Sequence, residues 1–348
     1  QAIDYIHRGS SVAIEIAYGQ PLTLIADCVR SMVCAPPGHL LRSSDFSNIE
    51  GRAVAWLAGQ DDKLDAFRAY DNKTGPDLYL VAAAGIYNVP IDQAKPHRQI
   101  GKVAELSLGY QGGPRAFAKM SKNYGVRIAK LHGPIWEMAN PDHKEKALAA
   151  WDERGRKTGM SEEGWLASEV IKLAWRAKNW RIEQYWREVE DAAIDAVARP
   201  GEITTAGKVR FRKAGSFLFC MLPSGRGLCY PYPRLKEVET PWGEMKQQIR
   251  YKAIDQFTKK WSDKAFYGGL GVENITQAVA RDIMAEAMLR VEAAGYKVVL
   301  TVHDEIVVEN EIGFGSLDEF NKLMMELPEW AKGLPVSVGG WEGSRYRK

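Results

Sequence analysis

Near the C-terminal end, two apolar runs stand out in the hydrophobic pattern: Val298-Val299-Leu300 with Val302, and Ile306-Val307-Val308. They are short, continuous and rich in branched side chains, which predicts two neighbouring buried strands. His303-Asp304-Glu305 between them leaves room only for a tight hairpin turn. Such turns want positive φ and usually carry Asn-Gly or Asp-Gly. No glycine stands here; two adjacent carboxylates crown two apolar strands instead. Like charges side by side repel, and each loses hydration as it is covered. An exposed acidic turn is the plain reading, and a cation-binding site is the other.

From the start, residues 3 to 33 read as helical with a break at Gly19-Gln20-Pro21, and a second helix spans 22 to 32. Pro36-Pro37-Gly38 ends it, and His39 to Ser44 is strand-like, delivering Asp45. Helical periodicity resumes at Ile49 and stops near Gly59. From there to about residue 200 helical signals dominate: Leu78 to Tyr87, Gln99 to Leu108, Arg115 to Tyr124, and one long helix from Glu162 to Val197. Trp165, Trp175, Trp180 and Trp186 fall irregularly on the last, as packing residues do more often than base-stacking ones. Residues 209–211, 217–222 and 227–232 look like strands, 252 to 267 are basic and aromatic, and Glu273 to Glu292 is a strong helix. The helical middle reads as an insertion between two strand-bearing segments.

Composition changes this picture little. At 348 residues, about two structural units are expected. The hydrophobic fraction of 45% is that of a folded protein, and the net charge of +3 permits a polyanionic partner without demanding one. Cys28, Cys34, Cys220 and Cys229 lack zinc-site spacing and read as reduced thiols. No apolar run approaches the roughly 20 residues of a membrane span, and no signal peptide is recognisable. The chain opens at Gln1, directly on an amphipathic pattern, so a piece of a longer protein is expected.

Two further constellations carry chemistry. Asp45, in Ser43-Ser44-Asp45-Phe46-Ser47-Asn48-Ile49-Glu50, ends a strand; alone it reads as a helix N-cap. In one sheet with Asp304, it would help hold two divalent ions about 3.5–4 Å apart, as phosphoryl-transfer enzymes do. Magnesium suits such a site, because it takes few carboxylates and completes its shell with phosphate and water. Arg98, Lys102, Leu106 and Tyr110 recur every fourth residue and would drift slowly around one helix face. Two cations, an apolar residue and an aromatic would suit a nucleoside triphosphate lying along that helix. A solvated face beside a core edge is the alternative. Lys95, Arg115, Lys119, Lys122, Arg127 and Lys130 cluster nearby, with Glu105 the one acid between residues 95 and 130.

In order, these stretches resemble the three motifs of the family A DNA polymerases. Asp45-Phe46-Ser47-Asn48-Ile49-Glu50-Gly51-Arg52 resembles motif A, Arg98 to Gly112 motif B, and Val302-His303-Asp304-Glu305 motif C. Leu222-Pro223-Ser224-Gly225-Arg226 and the ending from Trp341 to Tyr346 look most like the bacteriophage branch. The resemblance implies an α+β fold: a right-hand palm, made of an antiparallel sheet with helices, carrying a mostly helical fingers insertion. Residues 1–60 and 262–348 would form the palm, and 61–261 the fingers. It implies two-metal nucleotidyl transfer from a dNTP to a primer 3′-hydroxyl. Asp45, the Phe46 backbone carbonyl and Asp304 would hold two Mg2+ ions, with Mn2+ able to substitute, and Glu305 would support them.

The resemblance also implies that Arg98 and Lys102 bind the triphosphate, that Lys102 protonates the leaving pyrophosphate, and that Glu50 excludes a ribose 2′-hydroxyl. Asn48, Tyr79, Leu106 and Tyr110 complete the nucleotide site; Arg52, Gln277, Arg281 and His303 would contact primer-template DNA. Three positions depart from the family. Leu106 stands where an aromatic ring is usual, Tyr79 where many members have a histidine, and Glu273 where bacterial members have asparagine. The thumb and exonuclease parts are not recognisable, so an upstream portion of an intact protein is an expected partner, as is the cytoplasm of a bacterial host as location. A single-subunit RNA polymerase and a DNA-binding fragment without catalysis are the rival readings; Glu50 argues against the first.

Overall fold

The computed structural model describes residues 2–239, 243–255 and 257–347. Its strands are β1 (His39–Phe46), β2 (Ile203–Ala206), β3 (Val209–Ala214), β4 (Phe217–Met221), β5 (Gly227–Pro231), β6 (Arg234–Glu239), β7 (Met245–Ile254), β8 (Trp261–Ala265), β9 (Lys297–Val302), β10 (Glu305–Glu311) and β11 (Val338–Gly343). The chain divides into two compact units. One comprises Gln1–Ser47, Arg281–Pro328 and Val336–Lys348; the other comprises Asn48–Ala280 and Glu329–Pro335.

The first unit is built on an antiparallel sheet of order β11-β1-β10-β9. The two apolar runs of the C-terminal hairpin are β9 and β10, as their β-branched content predicts. The central strands are covered on both faces: Leu41 to Ser44 of β1 and Glu305 to Val308 of β10 are all buried. Burial on both faces explains why the pattern is continuous there instead of alternating. On one face Leu41, Val307 and Tyr346 form a core, with Ala35, Leu300, Val302 and Trp341 packed around it. Ser316 caps the Leu317–Met325 helix by accepting from the Glu319 N–H at 3.1 Å. The stretch read as one helix over 22 to 32 is a helix, Pro21–Cys28, followed by a short 3-10 turn, Arg30–Met32.

The second unit joins helices to two antiparallel sheets, β2-β3-β4-β5 and β6-β7-β8. The β6-β7-β8 sheet went unread in the sequence because its strands alternate weakly and carry many charges. The expected 162–197 helix is two, Glu162–Lys178 and Trp180–Ala198, interrupted at Asn179 with φ −108° and ψ 42°. Asn179 turns its amide on the local backbone, donating to the Trp175 carbonyl at 2.9 Å, which is how asparagine competes with helix continuation. Trp165, Trp175 and Trp186 are buried as packing residues, whereas Trp180 is exposed. The Ile49–Ala58 helix belongs to this unit, so the first boundary falls at Ser47/Asn48; the second falls at Ala280/Arg281, inside the Gly268–Ala293 helix. Both differ from the boundaries drawn at residues 60 and 261. Among the described residues no helix is long and apolar enough to cross a membrane.

Candidate active site

Strand register in the first unit brings the acidic residues together. Asp45 is the direct antiparallel partner of Glu305, and the Phe46 N–H donates to the Asp304 carbonyl at 3.1 Å. Directly opposed residues share a sheet face, so two acidic side chains stand on one face at the end of β1 and β10, with Asp304 in the adjoining turn. Like charges so placed are destabilising unless something offsets them. Glu305 is offset by the protein: it is buried, accepts from the Ser43 hydroxyl, and accepts from the Tyr346 hydroxyl at 2.5 Å. Burial, then the Glu305 carboxylate, pushes the Tyr346 phenol up to about 12, so it remains the donor.

The hairpin turn is two residues long, His303-Asp304, and His303 takes the positive φ, 53°, that a glycine would ordinarily supply. Glu305 is therefore a strand residue turned inward and not part of an exposed acidic turn. Asp45 and Asp304 are half-buried. On the far side of Asp45 its partner in β11 is Gly339, where an added Cβ would lie 4.0 Å from the Asp45 carboxylate. Among the described residues no three His, Cys, Asp or Glu side chains form a group that could hold a metal by themselves. Two carboxylates and a carbonyl are nevertheless hard oxygen donors of the kind a divalent cation takes, with phosphate and water able to complete its shell.

In the second unit, Arg98, Lys102 and Leu106 lie on the Arg98–Leu108 helix; Tyr110 follows two residues past its end. The helix buries Ile100, Val103, Ala104 and Leu108, leaving Arg98 and Leu106 exposed and Lys102 half-exposed. Arg98 is ion-paired with Asp77 and lies 5.1 Å over the Tyr79 ring. Lys102 lies 5.0 Å over the Tyr124 ring. Tyr110 donates to Glu50 at 3.0 Å; burial, then Glu50, raises its phenol well above the ordinary value, so the hydroxyl stays protonated. Glu273 is likewise raised by burial, then by Glu50. Glu50, Asn48, Tyr79, Glu105, Leu106 and Tyr110 line one cleft of about 60 Å³, together with Lys63 and Trp175.

Four expected DNA contacts fare differently. Gln277 and Arg281 are exposed, one turn apart on the Gly268–Ala293 helix, and His303 is exposed at the hairpin tip. Arg52 is not available: it is 1% exposed, clamps Asp71 with two bonds of 2.6 and 2.7 Å, and lies 4.6 Å over the Phe67 ring. A guanidinium held on both sides inside a core is structural. Sequence reading also passed over Ser43, Asp77, Tyr124 and Tyr346, which hold the expected site residues. Ser43 and Tyr346 lay in stretches already noted; Asp77 and Tyr124 had no local signal of such a role.

The fold is that of a DNA polymerase domain. The polymerase domain of Pol1 from M. smegmatis, solved in complex with DNA primer-template and dNTP, superposes with a TM-score of 0.50 at 18% identity, over 91% of this chain and 42% of that one. No protein-family model matches the chain. It is 35% identical to the DNA polymerase of Bacillus phage SP02 over 351 aligned residues, which take in 100% of this chain and 47% of the relative. The chain thus spans about half the length of that polymerase. Shorter matches reach the DNA polymerase of Mycobacterium phage D29, at 31% over 114 residues, and DNA polymerase I of Pseudomonas aeruginosa, at 36% over 99. The likeness to the Bacillus phage SP02 DNA polymerase covers the whole chain.

Proposed function

We propose that this chain carries the palm and fingers of a DNA polymerase and performs template-directed transfer of deoxynucleotides to a primer 3′-hydroxyl. The palm would be the unit containing β1 and β10, and the fingers the unit containing the Arg98–Leu108 helix. One observation carries the reading: the register that sets Asp45 opposite Glu305, beside Asp304. Asp45, Asp304 and the Phe46 carbonyl would hold two magnesium ions, with manganese as a substitute. When bound, such ions supply Lewis acidity that lowers the pKa of the primer hydroxyl and neutralises the triphosphate.

The chain's own residues do the rest. Glu305, fixed by Ser43 and Tyr346, keeps the end of β10 in place against β1. Arg98 and Lys102 bind the triphosphate from one helix face, and Lys102 delivers a proton to the departing pyrophosphate. Leu106 offers the base an apolar contact without the stacking a ring would add. Tyr110 steers the Glu50 carboxylate so that a 2′-hydroxyl meets an already paired acceptor and a steric wall, while Tyr79 and Asn48 border the same cleft. Gln277, Arg281 and His303 are the DNA contacts retained. The cytoplasm of a bacterial host is the proposed place of action, with the remainder of a longer polymerase as partner.

The test is primer extension with magnesium and four dNTPs. Asp304→Ala should reduce extension to background, and undiminished extension would sink the mechanism. Parallel reactions with ribonucleotides should show poor incorporation by the wild type and better incorporation by Glu50→Ala.

A further inference from the structure

Glu105 is an anomaly on the Arg98–Leu108 helix, the one acid in a basic stretch. At about 100° per residue it projects roughly 60° to one side of Lys102, the side on which Arg98 also lies. Its carboxylate therefore stands among the groups expected to meet a triphosphate. Both its oxygens are held: Lys63 Nζ donates to Oε2 at 2.6 Å and Trp175 Nε1 donates to Oε1 at 3.0 Å. Lys63 also donates to Asn179 Oδ1 at 2.8 Å and lies 5.4 Å over the Trp175 ring. Trp175 stacks in parallel on Trp186, with centroids 6.2 Å apart. Trp186 Nε1 in turn donates to the Gly109 carbonyl, one turn beyond Glu105, at 3.0 Å. The two stacked indoles thus grip the helix end at positions four apart.

Lys63 and Glu105 are almost sealed, with side chains 9% and 13% exposed, yet both border the cleft that Leu106, Tyr79, Glu50 and Tyr110 line. A buried ion pair adds little net stability compared with an apolar pair of similar volume, so stability alone gives no reason for it. The charge pattern gives one. Arg98 is already matched by Asp77, and Glu50 adds a carboxylate to the lining. With Lys63 the cations Arg98, Lys102 and Lys63 balance the carboxylates of Asp77, Glu105 and Glu50. Without it Glu105 would be uncompensated, and the set would turn net negative where a triphosphate is to bind.

We propose that Lys63 is a positioning residue of the nucleotide cleft. It neutralises Glu105 and holds it against Trp175, which fixes the rotation of the helix end and leaves Lys102 unopposed for a triphosphate. The proposal rests on the polymerase reading above.

The test titrates dATP onto the chain bound to a dideoxy-terminated primer-template, following tryptophan fluorescence, with thermal melting of every variant. Lys63→Met should weaken nucleotide binding about tenfold, the cost of one uncompensated charge near the triphosphate. Lys63→Met combined with Glu105→Gln should restore binding to within about threefold, because the charge has gone while the Trp175 bond remains. Wild-type affinity in the single variant overturns the proposal. So does a double variant that melts like wild type but binds as weakly as Lys63→Met. Should the single variant not fold, Glu105→Gln is compared with the double variant: equal affinities support the proposal, and a tenfold loss in the double variant overturns it. Primer extension by the wild type runs in parallel; if none occurs, the polymerase reading falls and takes this one with it.

Discussion

At the scale of single residues, the end of the β1–β10 pair depends on how Glu305 is held. A carboxylate 3% exposed, directly opposite another acid, needs its hydrogen bonds. Tyr346 supplies one from the segment after β11 and Ser43 another from β1. Removing the Tyr346 hydroxyl takes one donor from a buried carboxylate while keeping the ring in the Leu41–Val307 core. Tyr346→Phe should therefore lower unfolding stability by about 1–3 kcal/mol, read by urea denaturation. It should also lower extension rate more than nucleotide affinity, since it touches no proposed nucleotide contact. Arg52 teaches the opposite lesson at the same scale. Its place in motif A suggested DNA, yet the fold encloses it with Asp71 and Phe67.

Among elements, the Arg98–Leu108 helix is seated on its neighbour by an absent side chain. Gly101 faces the Leu78–Tyr87 helix so closely that a Cβ would lie 2.0 Å from the Tyr79 carbonyl and 2.9 Å from the Ala83 nitrogen. Both are backbone atoms, so the helices themselves would have to part. Gly101→Ala should cost roughly 1–3 kcal/mol of stability in spite of alanine's better helix propensity. Because Lys102 follows directly, the KM for dNTP should rise as well. A variant at or above wild-type stability would show that the two helices are not held by this contact. The sequence had the helix, its cationic face and its end near Leu108, all from periodicity. It had no sign of the seat, since nothing in a glycine names its neighbour.

For the molecule as a whole, charge and DNA grip set the expectation. A chain of net charge +3 has little long-range attraction to spare, and its excess of positive over negative charge is concentrated in residues 95–130. Binding to primer-template should rest on a modest set of phosphate contacts. Raising salt from 50 to 200 mM should weaken it at least about tenfold, with a linear fall of log affinity against log salt. Anisotropy titrations with a labelled duplex would measure the slope, and a flat response would remove the electrostatic account of DNA binding.

Local order along the chain determined a good deal of this protein. The apolar hairpin, the helix carrying Arg98 and Lys102, the strand ending in Asp45 and the strands after residue 209 follow from patterns a few residues long, because period and turn chemistry are short-range properties. The order of the three motifs by itself suggested the polymerase class. Tertiary structure decided the rest. It set Asp45 opposite Glu305 across 260 residues of chain, turned Glu305 inward to Tyr346, broke the 162–197 helix at Asn179, and joined Lys63 to Glu105. Each is a pairing between residues distant in sequence, and which partner a buried charge finds is fixed by packing, not by its neighbours along the chain.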